Sequence, residues 1–263
     1  MEIEFIDYKY NENTFNFIIK HHEINGILGR KYENLIDILK IKKNYDGLIK
    51  INGSIIEKEA IQLINKKVGI VKKEFDYKFF QNTVYDLMDY EIKRKNIKLK
   101  NREKKIYDSL LIVGLDESYL TRQINTLSTS EVKIVQLAVT LLSNPEVLII
   151  DDIFKFLDKV WEKKIIMLLQ KIKEQYNKTI VLASEDSEAL YKYTTNLIVF
   201  KNDKIIATGN TEEIMQRVDF FKKNRISIPK IVEFTYLAKK IKNVKIDYHK
   251  DVRDIIKDIY KHV

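Results

Sequence analysis

Residues 127–158 read LSTSEVKIVQLAVTLLSNPEVLIIDDIFKFLD, and this stretch carries more information than any other part of the chain. Its centre, Val147–Asp152, is a run of four apolar residues that ends in two carboxylates. A continuous apolar run of this kind is typical of a parallel strand that is buried on both faces. We therefore predict a central strand whose carboxyl end presents Asp151 and Asp152 to a ligand.

A helix start lies about twenty residues before this strand. Ser128 and Glu131 have the spacing of a capping box, in which each side chain binds the backbone N–H of the other residue. The free N–H groups at a helix N-terminus can also bind an anion. Taken alone, the pair is more simply a helix cap, but we keep Ser128, Thr129 and Ser130 as candidate ligand-binding residues.

The order of these two segments resembles the ATPase core of ABC transporters, in which an LSGGQ signature precedes a helix and then a hydrophobic strand ending in Asp-Glu. Here the corresponding letters are LSTSE and Asp151-Asp152. Glu23–Gly29 resembles the strand that enters the phosphate-binding loop, and Leu48–Gly53 resembles the edge-strand turn that follows the loop helix. Segments 79–84, 113–116 and 228–232 resemble the ATPase subunits of energy-coupling factor importers in particular.

This resemblance implies an α/β fold, a P-loop NTPase-like ABC ATPase core with an N-terminal antiparallel subdomain, a helical subdomain and a small helical C-terminal extension. We expect the ATPase domain to span 1–210, with the helical subdomain at about 84–140, and the extension to span 211–263. Helical periodicity in the extension places Ile214, Val218 and Phe221 on one stripe. We expect a single break in these helices, at Pro229.

The phosphate-binding loop departs furthest from the family pattern. A working loop reads G-x-x-x-x-G-K-[ST], because glycine N–H groups cradle phosphate, the lysine reaches it and the hydroxyl holds magnesium. In this chain Gly29 is followed by RKYENLI. Without gaps, Leu35 and Ile36 fall on the lysine and hydroxyl positions; the distance to Gly53 instead favours a loop shortened by a few residues, with Lys31 near the phosphate. Neither alignment restores Gly-Lys-Ser.

Three further positions depart from the family in ways that affect catalysis. Lys73 stands at the Q-loop glutamine, where a cation cannot bind magnesium. Glu185 stands at the switch histidine, where a carboxylate repels the γ-phosphate. Asp152 replaces the catalytic glutamate and is one methylene shorter, although a general base must come within about 2.6 to 3.2 Å of the attacking water. We expect ATP hydrolysis to be weak or lost.

Other positions keep the residue types of the family. The resemblance implies that Asp151 associates with Mg²⁺, that Asp158 lies in the D-loop facing an opposite subunit, and that Tyr10 stacks on adenine. Gly26 lies in the strand that enters the shortened loop and is a further candidate for nucleotide binding. Each residue alone has a simpler interpretation as a packed aromatic, a turn glycine or a solvated acid. ATP and Mg²⁺ are the cofactors that the resemblance implies.

Composition narrows the functional classes. The chain has 263 residues and no cysteine, which excludes disulfides and thiolate metal sites. No apolar run approaches the length of a membrane span, and no signal peptide is expected. Lys and Arg exceed Asp and Glu by 47 to 38, giving a net charge of +9. The basic runs 93–95 and 98–102 lack interleaved aromatics, so we interpret them as a solvated surface and expect no nucleic-acid partner.

Two functions remain after these exclusions. The first is an ATP-binding-cassette subunit of an energy-coupling factor importer for a vitamin or metal ion. It would be peripheral to the cytoplasmic face of the membrane and coupled through residues 73–85. Its expected partners are a second ATPase subunit in a homo- or heterodimer, a transmembrane coupling protein and a substrate-binding membrane protein. The alternative is a catalytically inactive pseudo-ATPase that serves as a structural or regulatory module. A soluble ABC protein of DNA repair or translation is less favoured, because no coiled-coil insertion is visible.

Overall fold

The computed structural model describes residues 1–41, 45–74, 82–98, 100–242 and 246–261, and within them the chain forms two β-sheets with helices packed around them. The smaller sheet is antiparallel, with strand order β2-β1-β4-β5. Its strands are β1 (Ile3–Tyr10), β2 (Asn13–Ile19), β4 (Asp46–Ile51) and β5 (Ser54–Ile55). This sheet confirms the predicted N-terminal antiparallel subdomain.

The larger sheet has strand order β10-β9-β3-β8-β7-β6, in which all strands except β10 run parallel. These strands are β3 (Ile24–Gly29), β6 (Val68–Val71), β7 (Val147–Asp151), β8 (Thr179–Ser184), β9 (Asn196–Lys201) and β10 (Lys204–Asn210). Every residue of β3 and β8 is buried. The apolar run at 147–150 forms the buried strand β7, as predicted, because both faces of the larger sheet are covered.

Eleven α-helices lie in the described ranges: α1 (Glu33–Leu39), α2 (Ile61–Lys66), α3 (Val84–Arg94), α4 (Arg102–Ile112), α5 (Thr129–Leu141), α6 (Lys159–Tyr176), α7 (Ser187–Tyr193), α8 (Thr211–Met215), α9 (Val218–Asn224), α10 (Lys230–Lys242) and α11 (Val252–Lys261). Helices α3, α4 and α5 fall between β6 and β7, where the sequence predicts the helical subdomain. No helix of the described ranges is long and apolar enough to cross a bilayer.

Two hydrophobic clusters hold these layers together. One lies between the smaller sheet, α1 and one face of the larger sheet; the other joins the opposite face to the remaining helices. The second cluster includes Ile214, Val218 and Phe221, so the predicted stripe packs against the main core. Burial of each such side chain contributes about 1.5 to 3 kcal/mol. The helices after β10 therefore share the core of the ATPase region, and the domain boundary at 210 stays a prediction.

The expectation of a single helix break at Pro229 is wrong. The chain breaks first at Gln216 and Arg217, and again after Asn224, where Arg225 takes the left-handed conformation with φ 55° and ends α9. A left-handed residue cannot continue an α-helix, and this termination depends on backbone geometry that periodicity does not encode. Four short helices therefore follow β10 within the described ranges, instead of two long ones.

Candidate functional site

The functional site predicted from the sequence lies at the carboxyl ends of three neighbouring strands. Strands β3, β8 and β7 end at Gly29, Ser184 and Asp151, and they stand next to one another in the larger sheet. Ligands of open α/β sheets bind outside the carboxyl ends of the strands. The fold therefore brings Asp151, Asp152 and Glu185 to the same edge as the turn that replaces the phosphate-binding loop.

The turn between β3 and α1 contains only three residues. Strand β3 ends at Gly29 and α1 begins at Glu33. Leu35 and Ile36 are buried on α1, so the ungapped alignment offers no group to a phosphate, and the shortened loop is confirmed. Gly29 has φ +150°, and a Cβ there would lie 1.8 Å from the carbonyl oxygen of Phe200, so only glycine fits at this position.

Tyr32 fills the space that this short turn leaves beside Asp151. Its side chain is fully buried, at 0% exposure, and its hydroxyl donates a hydrogen bond of 2.7 Å to Oδ1 of Asp151. Burial first, and then this hydrogen bond, raises the pKa of Tyr32 far above its ordinary value. The phenol is therefore a neutral donor throughout the physiological pH range. The sequence did not single out this contact, because 119 positions separate the two residues.

The second oxygen of Asp151 is also engaged from within the chain. Oδ2 accepts a hydrogen bond of 3.2 Å from the backbone N–H of Lys73. The segment after β6, where the family places the Q-loop, is thus anchored on the carboxylate that the sequence predicts as the magnesium ligand. Both oxygens of Asp151 have protein donors, which satisfies the carboxylate without a metal ion.

Asp152 turns inward from the end of β7. It has a left-handed conformation with φ 50° and only 6% of its surface is exposed. Oδ1 accepts a hydrogen bond of 2.6 Å from Ser184, and Oδ2 lies 3.8 Å from Nζ of Lys73. Lys73, predicted as unable to bind magnesium, is the counter-ion of Asp152. The carboxylate at the catalytic position is therefore held by a hydroxyl and a cation.

Lys133 is a buried residue of this region that the sequence did not single out. It is 4% exposed, and its Nζ donates hydrogen bonds of 2.8 and 2.5 Å to the carbonyl oxygens of Lys72 and Lys73. Burial lowers the pKa of the Lys133 ammonium. The ammonium also lies 4.8 Å from the ring centre of Phe156. The sequence signal that could have identified Lys133 is a single lysine within the apolar pattern of α5. Its two hydrogen bonds fix the segment after β6.

These contacts do not fit Mg²⁺ and ATP in the manner that the resemblance implies. The turn after Gly29 consists of three bulky residues, Arg30, Lys31 and Tyr32, where close backbone approach to phosphate requires several glycines. The oxygens of Asp151 and Asp152 already have internal partners. Among the described residues, no group of three or more His, Asp or Glu stands ready for a metal ion. A role for Asp151 in metal binding stays a prediction that these contacts oppose.

The segment that resembles the signature forms the predicted cap of α5. The hydroxyl of Ser128 accepts a hydrogen bond from the N–H of Glu131, and the carboxylate of Glu131 accepts one of 2.7 Å from the N–H of Ser128. Tyr119 and Arg122 donate to Oε1 of Glu131 at 2.6 and 2.7 Å. Burial acts to raise the pKa of Glu131, but these hydrogen bonds outweigh it and lower the pKa to about 2.

Ser130 joins the start of α5 to the start of α6. Its hydroxyl donates to the carbonyl oxygen of Phe156 at 3.0 Å and accepts from the N–H of Asp158 at 3.3 Å. Asp158 in turn caps α6 by accepting from the N–H groups of Val160 and Trp161, each at 2.9 Å. The segment that resembles the signature and the segment predicted as the D-loop are thus one connected unit, in which Thr129 is exposed. Their role towards a partner stays a prediction.

The remaining predicted residues lie apart from this unit. Tyr10 pairs with Asn13 at the hairpin of the smaller sheet and is partly buried. Gly26 lies inside β3, where a Cβ would come within 2.9 Å of the Leu197 side chain, so its small size serves packing. Glu185 is exposed, after β8. Much of the predicted coupling surface, including Phe79 and Phe80, lies outside the described residues.

Two clefts open at this edge of the sheet. The first, of about 730 Å³, is lined by Asp152, Lys73 and the start of α7. The second, of about 710 Å³, lies on the β9 side of the β3–α1 turn and includes Arg30 and Lys31. Glu185 borders both clefts. Lys31 therefore points to a different cavity from Asp152.

Comparisons with known proteins agree with this architecture. A family model described as ABC transporter matches residues 13–155. The energy-coupling factor transporter ATP-binding protein EcfA2 of Enterococcus faecalis is 28% identical over 255 residues, covering 89% of this chain and 88% of that protein. The protein of the same name from Caldanaerobacter subterraneus is 27% identical over 275 residues, covering 97% of this chain and 93% of its own.

Solved structures show the same fold. The structure of cbiO1 from Clostridium perfringens, described as part of the ABC transporter complex cbiONQ, has a TM-score of 0.70 at 24% identity and covers 89% of this chain and 98% of that chain. A dimeric ATP-binding cassette bound to ADP and Pi has a TM-score of 0.65 at 21% identity, covering 80% of this chain and 98% of that one.

Proposed function

This chain belongs to the ABC transporter family, and from that premise we propose that it is an ATP-binding-cassette subunit of an energy-coupling factor importer. In this proposal it contributes the cassette fold and the joined starts of α5 and α6, and its own phosphate turn hydrolyses ATP feebly or not at all. The similarity to EcfA2 proteins over most of both chains supports the importer context.

The contact between Tyr32 and Asp151 is the observation that supports a degenerate site most directly. A buried phenol occupies the position next to the carboxylate that the family uses for magnesium, and its hydrogen bond of 2.7 Å has good geometry. Separating the two leaves a partly buried carboxylate short of a donor, which is unfavourable. Tyr32 therefore competes with a metal ion for Oδ1 of Asp151.

In the proposed assembly the chain lies on the cytoplasmic face of a membrane through its partners. These partners are a second ATPase subunit, a transmembrane coupling protein and a substrate-binding membrane protein for a vitamin or metal ion. The unit formed by Thr129, Ser130 and Asp158 would face the second cassette, where an exposed helix start with free N–H groups suits the phosphates of a nucleotide held by the partner.

The alternative function is a pseudo-ATPase that keeps the cassette fold as an interaction module and binds no nucleotide. The internal partners of Asp151 and Asp152 favour it, because the strand-end carboxylates are satisfied without a ligand. Both functions share the importer context and differ in whether a nucleotide binds.

Phosphate release and calorimetry with Mg-ATP test the proposal on the purified chain. We expect turnover far below the common range for enzymes of about 1 to 1,000 per second. Asp151→Asn is the control for contaminating ATPases, because contaminant turnover persists in that variant. Turnover within the common range that Asp151→Asn abolishes would contradict the degenerate site. Saturable heat near micromolar ATP, about −8 kcal/mol, favours the nucleotide-coupled subunit, and no heat up to millimolar ATP favours the interaction module.

A further inference from the structure

The second cleft has walls from three separate parts of the chain. The β3–α1 turn supplies Arg30 and Lys31, the end of β9 supplies Lys201, and the segment that ends α9 supplies Lys223 and Arg225. Because β9 and β7 lie on opposite sides of β3, this cleft opens on the side of the turn away from Asp151. It is therefore distinct from the cavity that holds Asp152.

The charge of this cleft is strongly one-sided. Five cations and two carboxylates line it, which gives a net charge of +3. One carboxylate, Asp203, already accepts a hydrogen bond of 2.6 Å from Asn34. Within the described ranges none of the five cations has a carboxylate within 4 Å, whereas the adjacent Lys222 pairs with Glu233 at 3.0 Å. The two carboxylates offset part of this charge, and the cleft keeps a net positive field.

Two of the cations that line this cleft have a left-handed backbone conformation. Thirteen non-glycine residues in the described ranges have positive φ, and ten of them are Asn or Asp, which tolerate this conformation best. Lys31 and Arg225 are the long cations among the others, with φ 58° and 55°, and both line the cleft. Two residue types that are unfavourable in the left-handed conformation therefore occur in it at this cleft, where both add positive charge.

The wall between these cations is fixed by hydrogen bonds. Nζ of Lys201 donates to Oδ1 of Asn224 at 3.1 Å, and Nδ2 of Asn224 donates to the carbonyl oxygen of Phe220 at 2.9 Å. The end of β9 is therefore tied to α9. Lys223 and Arg225, on either side of Asn224, line the same cleft as Arg30 and Lys31.

We propose that this cleft binds a ligand that carries two or more phosphate groups, without a divalent ion. Lys and Arg side chains from three separate segments can bind separate phosphates, and a volume of about 710 Å³ exceeds the need of a single phosphate. The five cations of the cleft outnumber its two carboxylates, Glu185 and Asp203, so the side chains themselves supply the positive charge that phosphates require. The phosphates come either from a soluble compound such as a nucleotide or from a lipid headgroup.

Calorimetry with inorganic tripolyphosphate in EDTA tests the site on the full chain. EDTA removes Mg²⁺, so the result does not depend on ATP hydrolysis or on Asp151. We expect saturable binding that weakens as salt is raised, and at least about a tenfold loss in the double variant Lys223→Glu with Arg225→Glu. The matched control is Lys104→Glu with Lys105→Glu on α4, which changes the charge equally at exposed positions outside the cleft.

Two results would overturn the proposal: no heat up to about 1 mM tripolyphosphate, or equal weakening in both double variants, which would mean general attraction to a basic protein. Urea unfolding of each variant establishes that the fold is retained. Two further experiments identify the source of the phosphates. Competition by ATP in EDTA assigns a soluble nucleotide, and flotation with cardiolipin vesicles that the cleft variant loses assigns a lipid headgroup.

Discussion

Tyr32 shows at the scale of one residue how the edge of the sheet is stabilised. A carboxylate at the end of a buried strand normally requires water, a metal ion or a hydrogen-bond donor. Here Asp151 has a phenol on one oxygen and a backbone N–H on the other. The charge is therefore compensated by the fold itself, and the stability of the region depends on a side chain that carries no charge.

Replacing Tyr32 with Phe tests this dependence. The variant keeps the ring and removes only the donor to Asp151, so we expect the free energy of unfolding to fall by about 1.5 to 3 kcal/mol. Urea unfolding monitored by circular dichroism gives the value. Tyr45→Phe is the matched control, since its hydroxyl makes a longer bond of 3.4 Å to a carbonyl oxygen. Equal losses in both variants would show that the bond to Asp151 is not special.

Glu131 predicts a pH dependence with a definite sign. Its folded pKa of about 2 lies below the ordinary value of 4.5. The stabilisation is thus fully present above pH 4.5 and is lost as the pH falls towards 2, because the unfolded chain takes up the proton first. We expect Glu131→Gln to be less stable than the wild type at pH 7, and the gap to narrow over that window.

Urea midpoints at several pH values between 7 and 2.5 measure that gap. Glu103→Gln, an exposed acid on the neighbouring helix α4, is the control and should follow the wild type throughout. A gap between Glu131→Gln and wild type that stays constant down to pH 2.5 would contradict the prediction.

The helices α5 and α6 illustrate the scale of secondary-structure elements. Their N-termini are capped by Ser128 and Asp158, and Ser130 links one start to the other. Lys133, one turn further along α5, holds the segment after β6. Movement at the start of α5 would therefore reach both α6 and the contacts of Asp151.

The cap of α5 gives a prediction at this scale. Ser128→Ala removes the hydroxyl that accepts from the N–H of Glu131, so we expect a loss of about 1 kcal/mol in the free energy of unfolding. Thr129→Ala is the control, because this exposed residue at the first helical position gains helix propensity and should change stability by less than about 0.5 kcal/mol. Urea unfolding compares the two. Equal destabilisation would show that the cap hydroxyl contributes nothing.

The elements that the sequence predicts well are those with local signals. The apolar run of β7 and the Ser128–Glu131 pair lie within a few residues of the structure they determine, and both are confirmed. Tyr32 and Lys133 act on groups more than fifty positions away, so no local pattern identifies their partners. The helix ends after β10 were missed because apolar periodicity does not encode a left-handed backbone such as that of Arg225.

Two helices leave apolar faces uncovered at the scale of the whole molecule. Phe234, Leu237 and Ile241 are exposed along α10 at spacings of one helical face. On α11 the exposed residues Val252, Ile256 and Tyr260 repeat every four positions. Such stripes are typical of contact surfaces. The helical C-terminal extension is thus a second candidate surface for pairing with another cassette, besides the joined starts of α5 and α6.

Ile241→Glu tests that surface. Ile241 is 69% exposed, so a charge there should not affect folding, but it should weaken association by placing a carboxylate in an apolar contact. We expect sedimentation of the chain to shift towards the monomer in this variant. Leu63→Glu is the matched control, because Leu63 is 64% exposed on α2, in another part of the molecule. Identical sedimentation of the wild type and both variants would show that the exposed apolar residues of α10 do not form a pairing surface.

The three-residue turn between β3 and α1 limits what amino-acid substitutions can achieve at this edge of the sheet. Three residues span at most about 10 Å even when fully extended, which is too little to wrap a loop around a phosphate and still reach the helix. Exchange of single amino acids therefore cannot build a phosphate cradle at this turn. Such a cradle would require an insertion and the removal of Tyr32 from its place beside Asp151.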